Sequence, residues 1–190
     1  YSLKLLTNNC FLWNNYHIKE IHTILHEPSL WLVYFIYGYF EQAECNIYGL
    51  RLLITVVARR NRYYAGTRYL KRGVNNDGSV ANDVETEQIV EELSTTWSGK
   101  PILSSFIHMR GSVPIYWSQK QTSLFPNPDI AVNLTDFRFD ATKRHFSLLT
   151  ERYGHPCIVC NLTKTKEINK KQETLLNEWY YKGVDYINKT

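Results

Sequence analysis

The side chains best suited to bind an anion are concentrated in residues 59–72. This stretch holds six basic residues and no acidic one, with three tyrosines interleaved among them. Guanidinium groups make forked hydrogen bonds to phosphate oxygens, so the pattern predicts an anion site. A membrane head group and a nucleic acid would both fit such a site. The basic residues are Arg59, Arg60, Arg62, Arg68, Lys71 and Arg72.

The residues that follow offer a second interpretation of the same charge. Six acidic residues occur between Asp77 and Glu92, and they could neutralise the basic stretch through ion pairs, which are worth about 0 to 1 kcal/mol each when exposed. Asn76, Asp77 and Gly78 predict a chain reversal that joins two strands as a hairpin. Asn82 followed by Glu85 resembles a capping box, which predicts a helix over residues 83–93.

Three further patterns could carry chemistry, and each also has a structural interpretation. Cys45 and Arg51 have the spacing of phosphatases that use a thiolate nucleophile, but their apolar neighbours indicate a strand instead of a phosphate-binding loop. His22 and His26 lie four residues apart on a predicted helix, and we interpret them as ordinary histidines without a metal. Cys157-Ile-Val-Cys160 could be redox-active, and we interpret it as a strand with buried cysteines. The absence of a secretory context favours reduced thiols.

The periodicity of apolar residues predicts a mixed α/β (α+β) fold. Helical spacing indicates helices over residues 17–25, 137–153 and 173–187. Residues 45–58 and 102–109 indicate strands. Residues 30–40 are rich in aromatic side chains, so we expect them to form a core strand or helix.

Composition narrows the class of protein. The chain has 190 residues, and its hydrophobic content of 44% is enough for a packed core. Its net charge of +4 is low for a nucleic-acid-binding protein. The longest apolar run, residues 30–40, is shorter than the ~20 residues that span a bilayer, so any membrane contact is expected to be peripheral. Because the chain starts at Tyr1 and Met109 is its only methionine, we interpret it as a fragment.

Two long motifs resemble the Sac-domain phosphoinositide phosphatases. The first motif includes AGTRYLKRG at residues 65–73 and VANDVETEQ at residues 80–88, and the second reads RGSVPIYWSQ at residues 110–119. Leu70, Asp83 and the final Tyr-Trp-Ser-Gln resemble most the branch that acts on phosphatidylinositol 3,5-bisphosphate. The resemblance implies that residues 1–58 belong to the N-terminal Sac subdomain and residues 59–190 to the start of the catalytic subdomain.

The resemblance also implies a mechanism and a set of ligands. In this family a cysteine thiolate attacks the inositol phosphate, without a cofactor, from a motif with Arg-Thr-Asn-Cys before its loop and Asp-Arg-Thr closing it. That motif is expected beyond this chain, so we assign no catalytic residue here and predict that the chain alone is inactive. Substrate binding is assigned to Arg68, Lys71, Arg72 and Arg110.

The expected partners are a phosphoinositide head group at a membrane surface and scaffold proteins, but not nucleic acid. The expected location is cytoplasmic, peripheral on endosomal or vacuolar membranes. The alternative function is a non-catalytic module that binds phosphoinositide or a partner protein. Single-stranded nucleic-acid binding through the arginines and tyrosines is a third hypothesis.

Overall fold

The computed structural model describes residues 9–65, 72–94, 102–119, 129–133, 135–166 and 172–189. Within these ranges the chain forms a four-stranded antiparallel sheet, a two-stranded sheet and three α-helices, which confirms the predicted mixed α/β fold. The chain divides into two compact units. Unit 1 comprises residues 1–63 and 84–110, and unit 2 comprises residues 64–83 and 111–190. The subdomain boundary expected after residue 58 stays a prediction.

Unit 1 is built on the four-stranded sheet. Helix α1 (Asn15–Ile24) precedes strands β1 (Gly38–Ile47), β2 (Leu50–Arg60), β3 (Val84–Glu92) and β4 (Ile102–Arg110), which lie in the order β1-β2-β3-β4. Tyr48 and Gly49 connect β1 to β2 with positive φ angles of 52° and 84°, as a tight hairpin requires. The helix predicted over residues 17–25 is confirmed as α1. The strand structure predicted over residues 45–58 is confirmed as parts of β1 and β2, and the strand predicted over residues 102–109 is confirmed as β4.

The helix predicted over residues 83–93 is wrong, because this segment is strand β3. Glu85 does not cap a helix, since its carboxylate binds Arg59 on β2. Val84, Thr86, Ile89 and Val90 are β-branched, and β3 pairs along its whole length with β2 and β4. Pairing on both sides outweighs a local cap-like pattern.

The aromatic segment at residues 30–40 is also different from the prediction. Only its last three residues are in a strand, and most of its large side chains are exposed, with Trp31 76%, Phe35 58% and Phe40 64% accessible. The prediction of a core element is therefore wrong for the described residues. Composition gives these side chains a preference for burial, but only a covering element can bury them.

Unit 2 contains the two-stranded sheet and two helices. Strands β5 (Trp117–Gln119) and β6 (Ile130–Val132) pair with each other, and helices α2 (Asp140–Tyr153) and α3 (Gln172–Lys189) follow. The helices predicted over residues 137–153 and 173–187 are thus confirmed. A small core of Val74, Val80 and Ala141 lies beside Tyr116.

The Cys-x-x-Cys segment is not a buried strand. Cys157 and Cys160 are free and exposed, and the segment has no regular secondary structure. Ile158 and Leu162 are also exposed, at 90% and 89%. The apolar pattern fits a strand, but a strand needs a neighbour for its backbone hydrogen bonds, and β6 is paired with β5 in the part of the chain that the structure describes.

Candidate anion-binding site

In unit 2, residues 75–79 form a tight turn shortly after the end of the basic stretch. The Asn75 side chain accepts hydrogen bonds from the backbone N–H groups of Asp77 (3.0 Å) and Ser79 (2.9 Å). The Asn75 N–H donates to the Ser79 carbonyl oxygen at 2.9 Å, and Val74 and Val80 form a β-bridge. The predicted chain reversal is therefore confirmed, as a short hairpin with one bridge.

Helix α2 holds this turn. Arg144 Nη1 donates to the Asn76 carbonyl oxygen at 2.7 Å, and His145 Nδ1 lies 2.9 Å from the Gly78 carbonyl oxygen. Gly78 has a φ of +84°, and a Cβ atom there would lie 2.7 Å from the backbone nitrogen of His145. Burial lowers the pKa of His145 below its ordinary value, and Arg152 acts in the same direction, while the bond to the Gly78 carbonyl opposes them. The neutral imidazole is thus favoured.

Tyr116, in the second half of the second motif, contacts the same turn. Its hydroxyl donates to Asn76 Oδ1 at 2.6 Å. Burial raises the pKa of Tyr116, with contributions from Asp136 and Asp77 that outweigh the opposing effect of Arg144. The hydroxyl therefore keeps its proton and remains a donor to the turn.

The two sequence motifs meet at Gly73. Its N–H donates to Ser112 Oγ at 2.8 Å, and the Val74 N–H donates to the Ile115 carbonyl oxygen at 3.1 Å. Gly73 has a φ of +74°, and an added Cβ would lie 2.6 Å from the Ile115 oxygen. Only glycine fits such a close approach in this conformation. Residues 72–74 are therefore held against residues 112–117.

Arg72 is the predicted anion ligand whose surroundings the structure describes most fully. It is exposed, and its Nε–H donates to Gln119 Oε1 at 2.8 Å. Its guanidinium carbon lies 6.0 Å from the centroid of a Trp117 ring. A guanidinium carries five N–H donors, which suits it to phosphate oxygens.

The other predicted substrate-binding residues are placed differently. Arg68 and Lys71 lie outside the described residues. Arg110 belongs to unit 1, where it is the exposed last residue of β4 and pairs with Val84. Sequence reasoning missed Ser112 and Gln119 as supports of the site, although both occur in the second motif, which was the signal that could have found them.

Arg59 has a structural role in unit 1. Its Nη1 and Nη2 atoms bind Glu85 Oε1 at 2.7 Å and Glu87 Oε2 at 2.6 Å, and all three side chains are buried. Ser105 Oγ donates to the other Glu87 oxygen at 2.8 Å. The neutralisation of basic by acidic residues therefore holds for Arg59, whose charge is compensated inside the sheet.

The Cys45–Arg51 spacing falls on a strand pair. Cys45 on β1 lies opposite Leu52, and Arg51 on β2 lies opposite Asn46 and makes an exposed ion pair with Glu44 at 3.1 Å. The predicted strand structure is confirmed. The extended backbone of a strand pair cannot turn successive N–H groups toward one phosphate, as the loop of a thiolate phosphatase does.

His22 on α1 lies beside the Tyr34 ring in unit 1. His22 Nε2 lies 3.1 Å from the Tyr34 hydroxyl. Across the described ranges, no group of three or more His, Cys, Asp or Glu side chains is arranged to hold a metal ion. None of the helices in those ranges combines the length and the hydropathy needed to cross a membrane.

Comparison with known proteins supports the family resemblance that the two motifs indicate. Residues 3–190 match the family described as the SacI homology domain. The phosphoinositide phosphatase SAC5 of Arabidopsis thaliana is 45% identical over 183 residues, which are 96% of this chain and 23% of that protein. The polyphosphoinositide phosphatase of Schizosaccharomyces pombe is 38% identical over 94% of this chain and 22% of its own length. The phosphatidylinositol-3-phosphatase SAC1 of Saccharomyces cerevisiae is 36% identical over 94% of this chain and 28% of its own length. The chain thus spans about a quarter of the length of these relatives.

Proposed function

Because the chain belongs to the family of SacI homology domains, we propose that it is the anion-binding and scaffold part of a phosphoinositide phosphatase. The observation that carries this proposal is the junction at Gly73, where the two motifs that define the resemblance contact each other and position Arg72. Relatives that match along nearly the whole chain are named as phosphoinositide phosphatases, which supports this substrate class.

The substrate proposed is phosphatidylinositol 3,5-bisphosphate, on the strength of Leu70, Asp83 and the Tyr-Trp-Ser-Gln sequence. Arg68, Lys71, Arg72 and Arg110 supply positive charge for the head group. The nucleophile is a cysteine thiolate outside this chain, which takes the phosphoryl group and then releases it to water. We place the protein at endosomal or vacuolar membranes, where a peripheral enzyme reaches this lipid and its scaffold proteins.

The test compares the full-length protein that contains this chain with residues 1–190 alone. The full-length protein is expected to release phosphate from phosphatidylinositol 3,5-bisphosphate faster than from singly phosphorylated phosphoinositides. Residues 1–190 are expected to release none. Cys45→Ser in the full-length protein is the matched control. Cys45 lies in a strand pair, so its loss should leave the turnover of the full-length protein unchanged.

Either of two results would contradict the proposal. One is a full-length protein that hydrolyses no phosphoinositide, and the other is turnover by residues 1–190 that Cys45→Ser abolishes. Binding to phosphoinositide vesicles without hydrolysis by the full-length protein would favour the second candidate, a non-catalytic binding module. The exposed, supported Arg72 is compatible with that function as well.

A further inference from the structure

We propose that Gln119 is a positioning residue that holds Arg72 as a receptor for a phosphate group. This inference rests on the proposed function, because it concerns the same site and narrows its ligand to the phosphate groups of the head group. It assigns to Gln119 a role that acts through Arg72, with the direct contact to phosphate made by the guanidinium.

The main chain beside Arg72 is fixed before any ligand arrives. The Gly73 N–H donates to Ser112 Oγ at 2.8 Å, and the Gly73 carbonyl oxygen accepts from the Ala81 N–H at 3.0 Å. The Ser112 N–H donates to the Ala81 carbonyl oxygen at 2.9 Å, which closes the arrangement. The starting point of the Arg72 side chain is therefore set by three neighbouring segments of unit 2.

Gln119 then sets the direction of the side chain. The Nε–H group lies in the guanidinium plane, so its 2.8 Å bond to Gln119 Oε1 restricts the orientation of that plane. Gln119 is the last residue of β5 and is half-buried, and the Trp117 ring on the same strand lies 6.0 Å from the guanidinium carbon. A side chain restrained in this way loses less entropy when it binds a ligand.

The chemical nature of this support distinguishes Arg72 from Arg59. Two buried carboxylates bind Arg59 and compensate its charge. Gln119 offers a neutral amide oxygen, which directs the guanidinium without adding negative charge. A neutral support suits a receptor for phosphate, because a carboxylate at the same place would compete with the ligand for the same donors.

Gln119→Glu tests this inference, since it keeps the size of the side chain and its acceptor but adds a negative charge. In the full-length protein, we expect the Kd for inositol 1,3,5-trisphosphate, measured by calorimetry, to rise about tenfold. The KM for vesicles containing phosphatidylinositol 3,5-bisphosphate should rise by a similar factor with kcat nearly unchanged. Inorganic phosphate in a parallel titration shows whether the site selects the head group or any phosphate.

Ser118→Glu is the matched control. It adds the same charge one residue away on the opposite face of β5, where Ser118 is exposed, so its Kd should stay within about twofold of the wild-type value. In an Arg72→Ala background, Gln119→Glu should change the Kd little further, because the guanidinium through which Gln119 acts on the ligand is no longer present. Equal melting temperatures of the variants show that folding is unchanged.

Three results would overturn the inference: an unchanged Kd in Gln119→Glu, equal losses in Gln119→Glu and Ser118→Glu, or a full Gln119→Glu effect without Arg72. Failure of the wild-type protein to bind the head group or phosphate would overturn it too. These outcomes are distinct from failure of the proposed function, which is absence of turnover by the wild-type full-length protein whatever it binds.

Discussion

Arg51, Arg59 and Arg72 show how the partner of an arginine decides its role. Arg51 makes an exposed ion pair with Glu44, Arg59 is buried between two carboxylates, and Arg72 is exposed and held by a neutral amide. Exposed pairs contribute little, whereas a buried charge is costly once its partner is removed. Of the three, Arg72 combines exposure with a hydrogen bond to a neutral side chain, whereas Arg51 and Arg59 are bound by carboxylates.

Arg59→Ala is expected to destabilise the protein strongly. The substitution leaves the buried carboxylates of Glu85 and Glu87 without their cation, which costs about 3 to 5 kcal/mol in comparable pairs. Arg51→Ala on the same strand should cost no more than about 1 kcal/mol, because its pair with Glu44 is exposed to solvent. Urea denaturation followed by circular dichroism measures both. Equal losses for the two variants would show that burial does not decide the effect.

At the level of elements, the turn at residues 75–79 depends on a close contact with α2. Gly78 and Gly49 both have a φ of +84°, but a Cβ at Gly78 would meet the backbone of Arg144 and His145, whereas a Cβ at Gly49 has open space. Gly49→Ala should therefore cost only the conformational strain of about 1 to 2 kcal/mol. Gly78→Ala should cost clearly more, because the turn must also move away from α2. Thermal unfolding of the two variants separates these effects, and similar melting temperatures would contradict the contact.

The bond between α2 and the turn also predicts a dependence of stability on pH. His145 has a folded-state pKa below its ordinary value of 6.5, so the unfolded chain binds a proton more readily than the folded one. The stabilisation is complete above pH 6.5 and is lost as pH falls from there through the folded-state pKa. Melting temperatures between pH 5 and 7 should therefore fall more steeply for the wild type than for His145→Gln. Parallel curves for the two proteins would show that another group is responsible.

The elements that the sequence predicts well are those with local signals. The helices α1, α2 and α3, strand β4 and the turn at residues 76–78 all follow from spacing or turn chemistry. Strand β3 could not be identified in this way, because Asn82 and Glu85 imitate a helix start while the binding partner of Glu85 lies 26 residues away at Arg59. The support of Arg72 by Gln119, across 47 residues, likewise has no local pattern. The two motifs indicate that Arg72 and Gln119 lie in functional segments, but they do not indicate that the two side chains contact each other.

At the scale of the whole molecule, two properties favour different modes of membrane binding. The net charge of +4 and the basic residues of the 59–72 stretch other than Arg59, whose charge is compensated inside the sheet, favour attraction to anionic lipids. The exposed aromatic residues of unit 1, with Trp31 76% and Phe35 58% accessible, would instead favour insertion into the interface. Because the proposed ligand is a multiply charged head group, we expect the electrostatic contribution to dominate binding.

Salt should therefore weaken binding of the full-length protein to phosphoinositide vesicles. Raising ionic strength from about 0.1 M to 1 M shortens the screening length from about 10 Å to 3 Å, which reduces attraction between separated charges. Co-sedimentation with vesicles containing phosphatidylinositol 3,5-bisphosphate should show this loss, and Trp31→Ala should bind like the wild type. Arg72→Ala should bind more weakly at low salt and lose less as salt rises. Binding that resists salt and depends on Trp31 would instead show that the aromatic surface of unit 1 makes the main membrane contact.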